Sequence, residues 1–590
     1  SLPNMYFLVK LLAQIITRTF FKNVTVLGKE RIPLYGPVLF VGNHMNQFVD
    51  AAMLIAIFPR QIRFLIAEAS FKRPIIGRLA QSAGCIPVQR PQDLRYRGIG
   101  GLIWSSSSDV RIRGIKTRFK IDVKFQDTLI IDDLGVSRKV LEVVSDDEII
   151  IDKGIGTEYS ATYTDGFPFF IMPKIDQSTV YEEVSDAMRN GHSIGIFPEG
   201  GSHDRTTLLP LKPGVAVMAL SSVLEGAEDL LIVPVGLNYY EPHKTLSSAV
   251  VEIGQPIPVT LELAQKYEES PSDAVKELLS MVEKGMNSVL LSARDYTTLT
   301  CIRLCVQLYP PDRTALSQDN YYLLHQLFSQ FFWALHDDPE LEHLRKDLCE
   351  YEDTINHYGV PDREVWQLKQ PVYECIKLII TKFLLLILVS IVGGSFFPLW
   401  APIRYIPAFM AERHRKKALA NSKVKIRGTD VLASYRILVI IALLPMLTVF
   451  YGIFFSLAFM HGQNLNSKIA TVIGVFIILP PIFYISRVSF EMIMPLTRNI
   501  RTLFYVVVSN INYLRGTERT LLHMRIKLQQ KIRDLVYTKG PQVSPNFIQS
   551  FTTVVPDAVI QADNKRINYS LGEYVPVVTR AKYDAREEIL

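Results

Sequence analysis

Cysteine is scarce in this 590-residue chain: the five present are Cys85, Cys301, Cys305, Cys349 and Cys375. They are odd in number and have no metal-ligand spacing, and the nearest pair, Cys301 and Cys305, lies in an apolar stretch. This argues against a disulfide framework or a thiolate metal site and for buried thiols in a reducing compartment. An excess of one charge is lacking too. Lys and Arg number 64 against 58 Asp and Glu, and a formal +6 dispersed along the chain does not point to nucleic acid. No repeat of solenoid period is evident. What the chain has in abundance is apolar residues, 48% of the total, with a mean hydropathy of +0.17. Disorder is excluded at that composition. A soluble chain of this length would hold about four domains, but soluble chains seldom average so apolar, and membrane insertion is the first expectation.

The apolar residues are concentrated beyond Pro371. The run FLLLILVSIV from Phe383 to Val392, with the apolar turn Ile376 to Ile380 before it, offers about 20 residues for a spanning helix. Phe396 to Met410 is interrupted by Pro398, Pro402, Arg404 and Pro407, so 376–410 is expected to be a hairpin or to contain a re-entrant arm. Clearer spans are expected at 437–460 and 469–485, kinked at Pro445, Pro480 and Pro481, within a transmembrane region of 371–490. Basic residues crowd the stretch from Arg404 to Arg436 and the 491–590 tail, whereas the connector His461–Lys468 carries only Lys468. By the positive-inside rule the first loop and the tail are cytosolic and the connector lumenal. No cleavable signal peptide is evident. Residues 1–28 carry Lys10 and Arg18 among apolar residues, which suits an amphipathic helix at the membrane surface.

From 29 to 270, short β-like runs alternate with helical stretches, as in an α/β domain. Strands are predicted at Val38–Val41, Arg63–Ile66, Cys85–Val88, Ser193–Phe197, Leu231–Gly236 and Ala249–Ile253. Helices are predicted at Asp50–Ile57, Pro74–Ser82, Thr179–Arg189 and Pro213–Val223. Residues 98–170 alternate polar and apolar positions between turn signals, which predicts a β-rich insertion. A helical extension is predicted over 271–370.

Four stretches following strands carry chemistry. GNHMNQFVD places His44 and Asp50 after the first strand. A carboxylate can fix the tautomer of an imidazole that takes a proton from an alcohol. Six positions on one helix would turn the two side chains about 120° apart, so His44 must lie on a turn before the helix that carries Asp50. AGCIPVQR ends at Arg90, whose guanidinium could grip a phosphate. IGIFPEGGSHDRTTLLPLKPG ends a strand in a glycine-rich turn able to approach an anion, with Arg205 and Lys212 following. His203 is the rival base, although Asp204 beside it favours a capping or positioning role. LLIVPVGLNYY, with Pro234, reads mainly as a buried strand. Each stretch alone has an ordinary structural explanation.

In this order the four blocks resemble the glycerolipid acyltransferase family, and FPEGGSHDR with HMNQFVD is most similar to its fungal-type glycerol-3-phosphate/dihydroxyacetone-phosphate branch. The β-rich insertion, KIDQSTVYEEV and KVKIRGTDVLASYRILV extend the likeness along the chain. One departure is the spacing: Met45 to Val49 puts five residues between His44 and Asp50 where the wider family has four, a spacing the fungal branch shares. The fold this implies is an α/β acyltransferase domain with a β-rich insertion, a helical extension and a C-terminal helical transmembrane region. The resemblance further implies that His44 deprotonates the acceptor hydroxyl and Asp50 orients His44. Arg90, Arg205 and Lys212 would hold the acceptor phosphate, Glu199, Gly200, Gly201 and Ser202 would shape the acceptor pocket, and Pro234 would lie on the acyl-CoA side. The acceptor oxygen attacks the thioester of acyl-CoA and CoA leaves; no cofactor, metal or acyl-enzyme is implied, because a thioester is already activated. Expected partners are acyl-CoA, glycerol-3-phosphate or dihydroxyacetone phosphate, and membrane lipids, with no nucleic acid and homo-oligomerisation left open. The expected place is the endoplasmic reticulum membrane, multi-pass, with the catalytic domain facing the cytosol. Two alternatives stand beside lysophosphatidic acid synthesis: acylation of lysophosphatidic acid itself, and a non-catalytic membrane scaffold. The scarcity of charge within the two clear spans argues against the scaffold.

Overall fold

Val38, Leu39, Phe40 and Val41 are fully buried, as a continuous apolar run must be when both faces of its sheet are covered. This strand, Val38–Gly42, sits at the centre of the main sheet of the computed structural model, which describes all residues except 1–2, 158–164, 246, 311–315, 363, 366–371, 421–423, 460–463, 512–514, 557–559 and 561–590. Expectations for Lys423, for the start of the 461–468 connector and for the tail past residue 560 lie outside the described residues.

The strand order is Phe21–Leu27, Ser247–Ile253, Leu231–Tyr239, Val38–Gly42, Ser193–Ile196, Ile62–Ala67, Ile86–Val88, with Ile257–Pro258 paired to Leu231–Tyr239. Pairing is parallel along the order except between Leu231–Tyr239 and Ser247–Ile253. Alternate residues face opposite layers. Val38 and Phe40 pack with helices Pro3–Phe20 and Phe48–Ile57, and Leu39 and Val41 with Ser178–Arg189, Gly214–Leu224 and Pro271–Val289. The chain leaves Val38–Gly42 for Ile62–Ala67 on one side and leaves Ser193–Ile196 for Leu231–Tyr239 on the other. The carboxyl ends of these two central strands therefore border a topological switch point, where open α/β sheets place their ligands.

A second, antiparallel sheet is built from residues 96–172. Leu102 bridges Phe167, and the Gly98 amide donates to the Phe169 carbonyl at 2.9 Å, so the two ends of the sheet meet. It encloses its own core, including Ile112, Leu129, Val140 and Ile149, and closure leaves few unpaired strand edges.

Helices Tyr296–Leu308, Gln318–Ala334 and Pro339–Tyr358 share one core with Arg515–Val543 and Phe547–Val554. The tail expected as a separate cytosolic segment from 491 instead begins inside the long apolar helix Leu465–Ile511 and returns to the helical extension. Leu521, Ile526 and Ile532 enter that core, and Arg525 reaches Asp362, 163 positions away in the chain, with hydrogen bonds of 2.9 and 3.2 Å.

Among the described residues three helical stretches are long and apolar enough to cross a membrane: Val372–Gly394, Thr429–Ala458 and Leu465–Phe504. The expected second arm of the 376–410 hairpin is part of a longer helix, Phe397–Ala420, which continues through Pro402 and Pro407 into a basic half. It packs mainly along Leu432–Phe459 rather than on the preceding helix. The last of these helices, Leu465–Ile511, runs well past the expected end at 485, with Pro480, Pro481 and Pro495 inside it.

The N-terminal helix Pro3–Phe20 has two apolar faces. Val9, Ala13 and Phe20 enter the core beside Phe48–Ile57, while Phe7, Leu8 and Ile15 are exposed.

Candidate active site

His44 follows Val38–Gly42 on a short turn, and helix Phe48–Ile57 begins with Asp50 in its first turn. The turn passes through Gln47 at φ +46°, a conformation that side chains rarely adopt, and it brings His44 Nδ1 within 2.9 Å of Asp50 Oδ2. Asp50 is fully buried. Its Oδ2 also accepts the Asn46 amide at 2.8 Å, and its Oδ1 accepts the Tyr239 hydroxyl at 2.7 Å. Because a carboxylate only accepts, Nδ1 is the donor, and in the neutral ring the lone pair then lies on Nε2. The ring lies flat on Phe197, centroids 4.5 Å apart, and remains partly open to solvent.

Tyr239 was not picked out in the sequence. Its strand extends past its pairing with Gly42, which carries the hydroxyl over the start of helix Phe48–Ile57. Burial first, and then the charge of Asp50, push this hydroxyl well above the usual tyrosine range, so it remains a donor. Tyr239→Phe strands a buried carboxylate oxygen. We expect kcat to fall about tenfold with KM values unchanged, measured as initial rates at saturating substrates.

The FPEGG turn locks onto the same site. Glu199 is buried: its Oε1 accepts the His44 amide at 2.8 Å, and its Oε2 accepts the Leu209 amide at 3.0 Å and the His203 ring Nε2. Glu199 thus braces His44 from behind instead of lining an open pocket. His203 uses both ring nitrogens, since Nδ1 accepts the Arg205 amide at 3.1 Å, and it has none left to act as a base. Gly200 needs its glycine: φ is +80°, and a Cβ would press on Lys212 Cε at 3.2 Å. A Cβ on Gly201 would meet nothing within 4 Å, and the Lys212 ammonium finds no partner among the described residues.

Other expected site residues fare differently. Arg205 donates from Nε to the Val424 carbonyl at 2.8 Å and forms no ion pair among the described residues. Arg90 is held by Asp93 through two bonds of 2.7 and 2.9 Å, because the turn after the edge strand places an acid three residues on. Pro234 is buried mid-strand against Gly254 and Gly285, well before the strand's carboxyl end. The structure does not bring it to His44.

A further element at the site comes from far along the chain. Asp204 accepts the amides of Ile426, Arg427 and Thr429 at 2.8, 2.8 and 3.1 Å. Ser202 Oγ donates to Asp430 at 2.6 Å, Lys425 donates to the Ser202 carbonyl at 2.8 Å, and Ser434 Oγ donates to the Asn46 carbonyl at 2.6 Å. The basic segment before the 437–460 span is therefore laid over both the FPEGG turn and the His44 turn. Among the described residues no cluster of three or more His, Cys, Asp or Glu could hold a metal ion.

This imidazole and buried acid at the carboxyl ends of parallel strands, beside a glycine turn with cations, lie in an α/β acyltransferase domain: the family model described as Acyltransferase matches residues 23–106 and 144–238. The model described as glycerol-3-phosphate acyltransferase 2 C-terminal domain matches 301–544. Glycerol-3-phosphate O-acyltransferase 1 of Saccharomyces cerevisiae is 31% identical over 544 residues, covering 90% of this chain and 71% of the yeast protein. Glycerol-3-phosphate O-acyltransferase 2 of the same yeast is 29% identical, covering 92% and 78%. An uncharacterized acyltransferase of Schizosaccharomyces pombe is also 29% identical, covering 90% and 80%. The chain belongs to the glycerol-3-phosphate O-acyltransferase family.

Proposed function

We propose that this chain transfers a fatty acyl group from acyl-CoA to the sn-1 hydroxyl of glycerol-3-phosphate, forming lysophosphatidic acid, and that dihydroxyacetone phosphate is a second acceptor. The observation that carries the reading is the His44 ring, whose Nδ1 is committed to Asp50 at 2.9 Å while Nε2 is left to accept a proton. In the proposed step, Nε2 takes the hydroxyl proton as the oxygen attacks the thioester carbonyl. The carbon–sulfur bond then breaks, and the imidazolium returns the proton to the leaving thiolate. Asp50 stabilises the imidazolium between the two steps. Arg205 and Lys212 bind the acceptor phosphate beside the open Gly200–Gly201 turn. Arg90 joins them only by releasing Asp93.

The membrane supplies the acyl donor's lipid end. The first turns of Leu432–Phe459 pack by Ala433 and Ile437 in the same core as helix Phe48–Ile57, which supports entry of the acyl chain at this junction. Segments 424–436 and 515–555 both bond to the globular part, so the chain must return to one side of the bilayer before each. Phe397–Ala420 is the segment available for the first return, giving a multi-pass protein. The basic flanks favour the cytosolic face of the endoplasmic reticulum for the catalytic domain. The exposed Phe7, Leu8 and Ile15 face of the N-terminal helix suits contact with the same membrane surface.

The test is purified full-length protein in lipid nanodiscs with labelled acyl-CoA and, separately, each three-carbon phosphate and lysophosphatidic acid. Acylation of neither three-carbon phosphate overturns the proposal, and acylation of lysophosphatidic acid alone transfers it to that alternative. Arg205→Ala is expected to raise acceptor KM about tenfold or more while acyl-CoA KM moves less than about twofold. Equal changes would remove Arg205 from the phosphate site.

A further inference from the structure

The turn that joins His44 to Asp50 is held from outside the α/β domain. Asn46 is fully buried at its centre: its amide donates to Asp50 Oδ2 at 2.8 Å, and its side-chain Nδ2 donates to the Pro242 carbonyl at 3.1 Å. Its carbonyl accepts two bonds, from the Val49 amide at 3.0 Å and from Ser434 Oγ at 2.6 Å. The next residue, Gln47, sits at φ +46° and ψ −129°, and a side-chain-bearing residue keeps such a conformation only where its neighbours over-determine it. The local bonds of Asn46 come from the turn itself and from the loop after Tyr239. Ser434, fully buried in the first turn of the helix that enters the membrane, is 388 positions away in the chain.

We propose that Ser434 is a positioning residue for the transfer reaction: through the Asn46 carbonyl it fixes the turn on which His44 meets Asp50, so docking of the membrane helix sets the geometry of the base. The inference rests on His44 being that base. Ser434 touches no reacting atom. Its hydroxyl clamps the peptide whose neighbouring amide points at Asp50 Oδ2, the same oxygen that orients His44 Nδ1. Neighbouring contacts restrain the helix as a whole: Arg436 donates to the His243 carbonyl at 2.9 Å, and Asp204 holds the loop before the helix. The Ser434 bond can therefore be removed without undocking the segment.

The experiment compares Ser434→Ala and Ser434→Thr with the parent chain in nanodiscs, reading kcat, both KM values and hydrogen–deuterium exchange. For Ser434→Ala we expect kcat to fall about tenfold, both KM values to stay within about twofold, and exchange to quicken in peptides covering 43–50 but not in those covering 424–430. Ser434→Thr, which retains the hydroxyl, should restore most of the rate. Unchanged kcat in Ser434→Ala overturns the inference. So does a loss of kcat with equal quickening at 424–430, which would assign Ser434 to docking alone. His44→Ala run in parallel separates the two ideas: if it retains full turnover the base assignment falls, and if it is inactive while Ser434→Ala is normal only the positioning role falls.

Discussion

Replacing His44 with alanine is expected to lower kcat about a thousandfold or more, with both KM values close to those of the parent. General-base catalysis by a positioned histidine contributes roughly a hundred- to ten-thousandfold, and the neighbouring histidine is not free to substitute. His203, the nearest rival in sequence, has both ring nitrogens engaged by Glu199 and the Arg205 amide. The substitution leaves Asp50 with the Asn46 amide and the Tyr239 hydroxyl as donors, and Glu199 bonds the backbone, not the ring, of residue 44. The fold is thus expected to stand while turnover is lost. Initial rates with labelled acyl-CoA, normalised to monodisperse protein by size exclusion, measure it. A rate within tenfold of the parent would remove His44 from the reaction.

Asp204→Ala is the second large effect, and it acts through the segment that covers the site. One carboxylate holds the amides of Ile426, Arg427 and Thr429, and the Thr429 hydroxyl at 3.3 Å. Its removal orphans three backbone donors over Ser202 and Arg205. At about 1 kcal/mol for each lost bond, kcat should fall on the order of a hundredfold, with faster proteolysis between Arg413 and Arg436. The bonds carry a pH signature as well. Burial alone would raise the Asp204 pKa, but the amides of Ile426, Thr429 and Arg427 outweigh it and hold the group below its ordinary value of 3.8. A depressed carboxylate contributes its full stabilisation above the ordinary value and loses it as pH falls through its own lower pKa. Proteolysis of the parent chain at the 413–436 segment should therefore rise only below about pH 4, whereas Asp204→Ala should be cleaved rapidly throughout. Equal protection of the two proteins at neutral pH would contradict the docking role.

Much of the α/β domain was legible in the sequence because its strands are short apolar runs and its helices have one apolar face. Val38–Val41 and Ser193–Phe197 lie within a residue of the observed strands, and Pro74–Ser82 within a residue of its helix. The pairing of His44 with Asp50 was legible because the two residue types fall either side of a strand-to-helix turn, where an imidazole and a carboxylate can meet. The roles around them were less so. Arg90 resembles a phosphate ligand until Asp93, three residues on, is seen to occupy it. Glu199 resembles a pocket residue until its oxygens are found on the His44 and Leu209 amides. A sequence shows what a side chain can bind, and its neighbours in space decide what it does bind.

The same division holds for the whole chain. Apolar runs beyond residue 371, basic clusters flanking them and the order of four motif blocks are local or compositional, and together with the family resemblance those blocks carry they point to a membrane-associated α/β acyltransferase in which His44 lies beside Asp50. Only the tertiary structure brings Tyr239 to Asp50, lays 424–436 over the FPEGG turn, seats Ser434 beneath Asn46 and returns 515–555 to the helices of 296–358. The reason is physical: periodicity reports how much of a residue is buried, but the partner that buries it is chosen by the packing of elements hundreds of positions apart, which no local pattern encodes.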